Sequence, residues 1–525
     1  MSAFRGVRAR LLAPVAFVAL LGGTWVVYFH GLDTTPVVVA VDEARFALHA
    51  RSIVMYGTDL AGNRRPVFFH ITDPLNPGGD SDTWWQPALF YLVAGVFRVA
   101  PQNRWSLRLP TTLLAIINVI VIALVARRLF SSGWYAVLAA AILALTPAHY
   151  IFARRALDYF CQLPVALGWM LCLTAYTPSA TLWLPAATGL LLGFGLLTHI
   201  SSWIVMPGYL VATCVVLRRL AAPRQAYAWL AMGFVLPVAL VVPVILANPS
   251  LPTEMFTHYK VVTGWRVVER ISTYWGYLGP SYLFFSGGSN PMFATRRGGV
   301  LAVAAAVLLP LGIWTTLQRR GDPRRDVLVF GFFFAPLPIA LAMPQDPRFY
   351  TPRDLLVMPF AALLCTIGLE RLFEQRSWRA RLIGAALIVA IPLQFVTFAR
   401  YVMTDYQSAS APRFDSMNLE SVARYVISRD QASRVPSVYL SEDVGAPHAY
   451  QWVFYLVEQH HVDLWARTRH FYETQRPQGI PAGSLLVFDA SDPRLDRLKT
   501  TLDCSVARVV NGVGGEPAAV LLEKH

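Results

Sequence analysis

Long apolar stretches recur along this chain, separated by polar connections rich in arginine. The first, Leu11–Phe29, follows Arg5, Arg8 and Arg10. Others lie at 107–126, 134–152, 160–176, 182–199, 202–217, 228–247, 299–317, 327–343, 354–369 and 382–399. Each is near the ~20 residues that a helix needs to cross a bilayer. The pattern therefore predicts a polytopic α-helical membrane protein with about 11 transmembrane helices, or 12–13 if shorter runs also cross. The run 88–100 is short for a span and reads as an interfacial or re-entrant helix. No small-x-small cleavage site follows the first run, which reads as an uncleaved span.

Threading these spans puts Arg127-Arg128, Arg218-Arg219 with Arg224, Arg319 to Arg325, and Arg371 to Arg381 on one side. That is also the side of the basic N-terminus, so the positive-inside rule makes it cytoplasmic. The loops 31–106, 153–159, 248–298 and 344–353 are then external, as is the tail. Residues 1–400 form the membrane domain and 401–525 a small soluble α/β domain. In the tail, Ser437–Leu440, Ser484–Phe488, Val506–Val510 and Ala518–Leu522 read as strands; His448–Gln459 and Pro493–Leu502 read as helices.

Composition supports this picture. Hydrophobic residues make up 55% of the 525 and charged residues 14%, against about 25% in soluble proteins. The net charge is +14, but the only lysines are Lys260, Lys499 and Lys524, and no basic run suits nucleic acid. Nucleic acid is therefore not an expected partner, whereas membrane lipids are. The preference for arginine fits a GC-rich bacterial genome, hence a bacterial inner membrane with a periplasmic tail. The five cysteines form no CxxC pair, and four lie in apolar runs as buried fillers.

Candidate chemistry gathers in the external loops. Asp42-Glu43 follows the first span and opens a helix-like run, Glu43–Tyr56. Such carboxylates serve a general base or a metal; the same pair equally suits a helix N-terminus, capping it and favouring its dipole. Trp84-Trp85-Gln86-Pro87 resembles an aromatic belt. Arg154, Arg155 and Asp158 lie in a turn where external arginines break the positive-inside trend. They read either as a local ion pair or as a phosphate clamp beside a second acid. His199 ends a span; His258, Lys260, Arg266 and Arg270 lie in the third external loop, Arg348 and Arg353 in the fourth. The Gly-rich piece at 286–290 lacks the Gly-Lys-Ser/Thr of a nucleotide loop. Together these residues describe an electropositive outer surface with carboxylates, suited to a lipid phosphate.

The string Asp42-Glu43-Ala44-Arg45-Phe46-Ala47 resembles the Asp-Glu signature of GT-C membrane glycosyltransferases. The likeness is to the branch that holds protein O-mannosyltransferases and the aminoarabinose transferases of lipid A. Gln86-Pro87, Arg108-Leu109-Pro110, Arg127-Arg128-Leu129-Phe130, Leu157-Asp158 and Leu197-Thr198-His199 follow in the family's order. The resemblance covers about residues 10–400. It implies a GT-C fold and transfer of a sugar from a polyprenyl-phosphate donor to a hydroxyl on a lipid, polysaccharide or protein acceptor at the external face. It makes Asp42 the catalytic carboxylate and Asp158 the second acid. Members differ in metal dependence; a divalent metal, where one is used, would fall to Asp42 and Asp158. Two departures are visible. Gln86 stands where the aminoarabinose transferases carry lysine, and His199 stands in a Leu-Thr-Lys motif of the wider family. Phosphate binding then falls to His199, Lys260 and the arginines, with Glu43 beside the catalytic acid. A transporter or flippase of a lipid-linked anion is the alternative from another class. Against it stand the lack of inverted repeats and the large external loops.

Overall fold

The structure is a computed structural model, and it describes residues 2–76, 83–178, 183–258, 267–288, 290–319, 321–342, 351–442, 444–473 and 479–525. Two compact units divide the chain. One comprises Met1–Gly31, Trp84–Leu89 and Pro110–Val402; the other Leu32–Thr83, Phe90–Leu109 and Met403–His525.

The first unit is helical, and each predicted span holds a helix. They are α1 (Ser2–Phe29), α4 (Arg104–Leu129), α5 (Gly133–Ala144), α7 (Gln162–Ala175), α8 (Trp183–Gly195), α9 (Ser202–Arg219), α10 (Arg224–Ala247), α13 (Ala305–Gln318), α14 (Pro323–Phe334), α16 (Val357–Glu374) and α17 (Trp378–Met403). Shorter helices, α6 (Pro147–Ala153), α11 (Leu251–His258), α12 (Val267–Tyr277) and α15 (Leu337–Ala342), fill the connections. Among the described residues, five helices are long and apolar enough to cross a membrane, or six if the bent pair α5–α6 is one span. The run at 88–100 is α3 (Ala88–Phe97), ten residues long.

Small residues let these helices touch. A Cβ on Gly312 would lie 1.8 Å from the Leu364 carbonyl, and one on Gly368 2.3 Å from that of Leu308. Helices α13 and α16 therefore pack backbone to backbone, as apolar helices do where glycine removes the side chain between them. Elsewhere Trp169 of α7 stacks on Tyr209 of α9 at 4.3 Å, and its Nε1 donates to Thr213 Oγ1 at 2.8 Å.

The arginine-rich loops meet at one end of this unit. Arg325 donates to the Leu129 carbonyl at 2.7 Å and lies 3.5 Å from Glu370. Arg219 pairs with Asp326, Arg319 with Glu374, and Arg324 bonds the Tyr176 carbonyl. Loops predicted to share one side thus touch one another, which independent threading of apolar runs would not guarantee.

The second unit holds α2 (Val41–Tyr56), β1 (Phe69–Ile71), most of α3, and a C-terminal α/β region. That region contains α18 (Asp405–Phe414), α19 (Leu419–Ala432), β3 (Val438–Ser441), α20 (Gly445–Glu458), α21 (Asp463–Ala466), β4 (Thr468–Phe471), β5 (Leu485–Asp489), α22 (Leu495–Leu502), β6 (Cys504–Asn511) and β7 (Pro517–Lys524). β2 (Thr83–Trp85) pairs with β1 in a small separate sheet. The larger sheet has the order β4-β3-β5-β7-β6. β3 runs parallel to both β4 and β5, while β7 is antiparallel to β5 and β6. The four expected strands are present; β4 is additional, because Thr-Arg-His-Phe lacks the apolar run that marks the others. Tyr439, Phe471, Leu486, Phe488, Leu498 and Leu522 form a core on one face of the sheet.

Asp415 sets the start of α19. Its carboxylate accepts from the backbone N–H groups of Leu419 at 2.6 Å and Met417 at 3.2 Å. Burial nevertheless pushes this carboxyl up to about 7. A buried acid with a raised pKa holds its proton in the fold but loses it unfolded, so folding takes up a proton between about pH 4 and 7. Stability here falls as pH rises through that window. Amide exchange over residues 418–422, corrected for its intrinsic pH dependence, should show protection declining from pH 4 to 7 in wild type and a flatter profile in Asp415→Asn.

Candidate active site

Two groups of expected site residues are built separately, one in each unit. In the second unit the centre is the first turn of α2. Glu43, three residues beyond Ala40, reaches back to accept from the Ala40 N–H at 2.9 Å. This is the return half of a capping box; Ala40 has no side-chain oxygen for the other half. Glu43 is buried and paired with Arg108, whose Nε lies 3.0 Å from Oε1 and Nη2 3.3 Å from Oε2. The same guanidinium donates to the carbonyls of Leu32 at 3.1 Å, Pro36 at 2.8 Å and Val38 at 3.1 Å. A fully buried Arg108 thus ties the chain entering α2 to the helix itself.

Asp42 differs from its neighbour. It is not the N-cap, because the helix begins one residue earlier at Val41. Its side chain is 36% exposed and hydrogen-bonds Arg45 at 3.3 Å, one turn along. Of the two acids, Glu43 is committed to the fold, and Asp42 is held at the surface by one side. The Glu43 oxygens face Arg108 and the helix N-terminus. His49, two turns below Asp42, is fully buried among Phe69, Phe90 and Tyr450. Burial, with the Arg45 charge adding to it, lowers its pKa to about 3, so the imidazole stays neutral.

In the first unit, the 3₁₀ turn Asp158–Cys161 runs into α7 and lies against a second such turn, Thr351–Asp354. Tyr159 contacts the His199 ring at 4.4 Å. The tight link between α8 and α9 carries His199; Ser201 Oγ lies 2.8 Å from its Nδ1, and the Ser201 N–H donates to that atom at 3.2 Å. Ser201 Oγ also donates to Gln162 Oε1 at 2.8 Å. His199 Nε2 is buried without a hydrogen-bond partner among the described residues. His199, Ser201 and Arg353 share a small cavity of about 30 Å³ whose other walls are apolar, among them Ile204, Phe256 and Ile339. The structure therefore brings Asp158, His199 and Arg353 into one neighbourhood.

The other expected residues fare differently. Arg154 is buried and donates to the last carbonyls of α1, Tyr28 at 2.7 Å and His30 and Gly31 at 2.8 Å each. It caps that helix as a cation should, with Nη1 and Nη2 both donating to backbone carbonyls. Arg155 bonds the Met292 carbonyl and Arg270 that of Leu341. His258 ends α11. Lys260, Arg266 and Arg348 lie outside the described residues. Gln86 is buried, and its Nε2 has no partner among the described residues. Among the described residues no three His, Cys, Asp or Glu side chains cluster to hold a metal ion. Arg108 stands out in the sequence only as a motif match. Its one further signal is a charge at the head of an apolar run, a place where charges are normally paired.

Known proteins with similar features bear on this arrangement. The family model for dolichyl-phosphate-mannose-protein mannosyltransferases matches residues 85–246. That stretch takes in Asp158 and His199 and begins after Asp42. No curated protein matches the chain by sequence. Among solved structures, it is similar to ArnT from Cupriavidus metallidurans in the apo state, at 15% identity and a TM-score of 0.61, covering 96% of this chain and 97% of that one. It is likewise similar to ArnT from the same organism bound to undecaprenyl phosphate, at 16% identity and a TM-score of 0.59, with the same coverage. At such identities the likeness is one of fold. The chain is a multi-pass membrane protein with the GT-C fold, as its Asp-Glu motif and its pattern of spans led us to expect.

Proposed function

We propose that this protein is a glycosyltransferase that takes a hexose or pentose from a polyprenyl-phosphate donor and passes it to an acceptor hydroxyl. The acceptor is a lipid, a polysaccharide or a protein. The observation that carries this reading is the cavity of His199, Ser201 and Arg353. It sets one guanidinium and one unpartnered imidazole nitrogen against apolar walls. A phosphate on an isoprenoid chain needs both: charge-assisted donors for its oxygens and apolar surface for its tail.

The chemistry divides into two tasks. Asp42 accepts the proton of the acceptor hydroxyl as its oxygen bonds the sugar's anomeric carbon. The bond from that carbon to the phosphate oxygen breaks, and the lipid phosphate leaves with the electron pair. Arg353 and His199 stabilise the charge gathering on that phosphate. Asp158, by the family resemblance, is the second acid. A single displacement inverts the anomeric configuration, which product NMR reads directly. The membrane is a bacterial inner membrane, with the N-terminus cytoplasmic and the C-terminal region periplasmic.

Arg353→Ala tests the cavity. Losing a charge-assisted hydrogen bond to phosphate costs about 1.5–3 kcal/mol, so donor KM should rise about 10- to 100-fold. An unchanged KM would remove the cavity from the donor site.

A further inference from the structure

The second unit contains a contact that nothing above explains. Tyr450 and Gln451 are adjacent on α20, both buried, and both bond the first external segment. Gln451 Nε2 donates to the Val39 carbonyl at 2.7 Å and the Phe414 carbonyl at 3.0 Å. Val39 lies two residues before the start of α2 and three before Asp42. Tyr450 bonds the Thr72 carbonyl through its hydroxyl. Its ring lies 5.5 Å below the Arg45 guanidinium, and the His49 ring stacks on it at 6.3 Å and 17°. Arg45 in turn hydrogen-bonds Asp42.

We propose that Tyr450 and Gln451 are positioning residues for Asp42: Gln451 fixes the backbone entering its turn, and Tyr450 fixes the arginine that holds its carboxylate. The proposal rests on the assignment of Asp42 as the base. Two independent lines reach the same carboxylate, one through Val39 and one through Arg45. Other bonds hold the same entry strand. Gln407 accepts from the Val37 N–H at 2.8 Å. Arg104 donates to the Val37 carbonyl at 3.1 Å while paired with Glu458 of α20 at 2.8 Å. None of Asp42, Arg45, Tyr450 and Gln451 lines the cavity of His199 and Arg353. The expected signature is therefore a fall in kcat with donor binding intact. A base displaced by about 1 Å loses about 10²-fold in rate.

The test uses full-length protein in detergent or nanodiscs, with Gln451→Met, Tyr450→Leu, Tyr450→Phe and Asp42→Asn beside wild type. Gln451→Met and Tyr450→Leu should lower kcat about 10- to 100-fold with donor KM unchanged. Tyr450→Phe keeps the ring under Arg45 and should recover most of the Tyr450→Leu loss. Amide exchange should quicken over residues 40–44 in Gln451→Met and stay at wild-type rates in the first unit. Wild-type kcat and wild-type exchange in both disruptive variants would overturn the proposal. So would a joint loss of kcat, donor binding and melting temperature with exchange raised throughout, which is the mark of a purely structural role. If Asp42→Asn keeps its activity, the base assignment has failed instead, and the exchange result separates that case from the failure of this one.

Discussion

Asp42→Asn should abolish sugar transfer, with kcat lowered by about 10²–10⁴-fold, the share that a positioned general base contributes. Asparagine keeps the size of the side chain and can still accept from Arg45, so the turn should survive. Donor KM should move little, since no phosphate contact is assigned to this residue. The contrast with its neighbour sharpens the expectation. Glu43→Gln should act on folding first, because its carboxylate is buried under Arg108 and accepts from the Ala40 N–H. Two adjacent acids should thus give two phenotypes, a stable inactive protein and a destabilised one. Transfer rates at saturating donor, with expression and melting temperature recorded alongside, distinguish them.

Arg108→Met should destabilise the fold more than Glu43→Gln or either disruptive change on α20. It leaves Glu43 buried without its cation and three backbone carbonyls, those of Leu32, Pro36 and Val38, without their donor. Removing one partner of a buried pair costs about 3–5 kcal/mol, more than most domains can spare. The full-length protein should accumulate poorly or melt many degrees lower. Adding Glu43→Gln should restore part of the loss, since the stranded charge is then gone. A double variant no better than Arg108→Met alone would show that the carbonyl contacts, and not the ion pair, carry the stability.

The helices were legible because a bilayer demands long apolar runs: each run holds a helix, and among the described residues five or six are long and apolar enough to span one. The shared side of the arginine loops was legible for the same reason, and Arg325 on the Leu129 carbonyl is its physical counterpart. The candidate site was legible in part. Asp42 and the His199 turn carry motifs; the Asp42 side chain is partly exposed, and His199 Nε2 is unpartnered among the described residues. Arg154 and Glu43 looked equally functional in sequence, yet their partners are the end of α1 and Arg108. No local pattern encodes which distant group a buried charge will meet. Gln451 is the clearest case, since the carbonyl it bonds lies 412 residues away along the chain. An amide inside an aromatic helix gives no sign of such a role.

Donor turnover tests the central claim most directly. Purified full-length protein would be incubated with a panel of radiolabelled polyprenyl-phosphate sugars and a membrane-lipid acceptor extract, wild type beside Asp42→Asn. The account predicts sugar transfer from at least one donor by wild type and none by the variant. Binding of these donors without transfer from any of them, or equal transfer by both proteins, would contradict it.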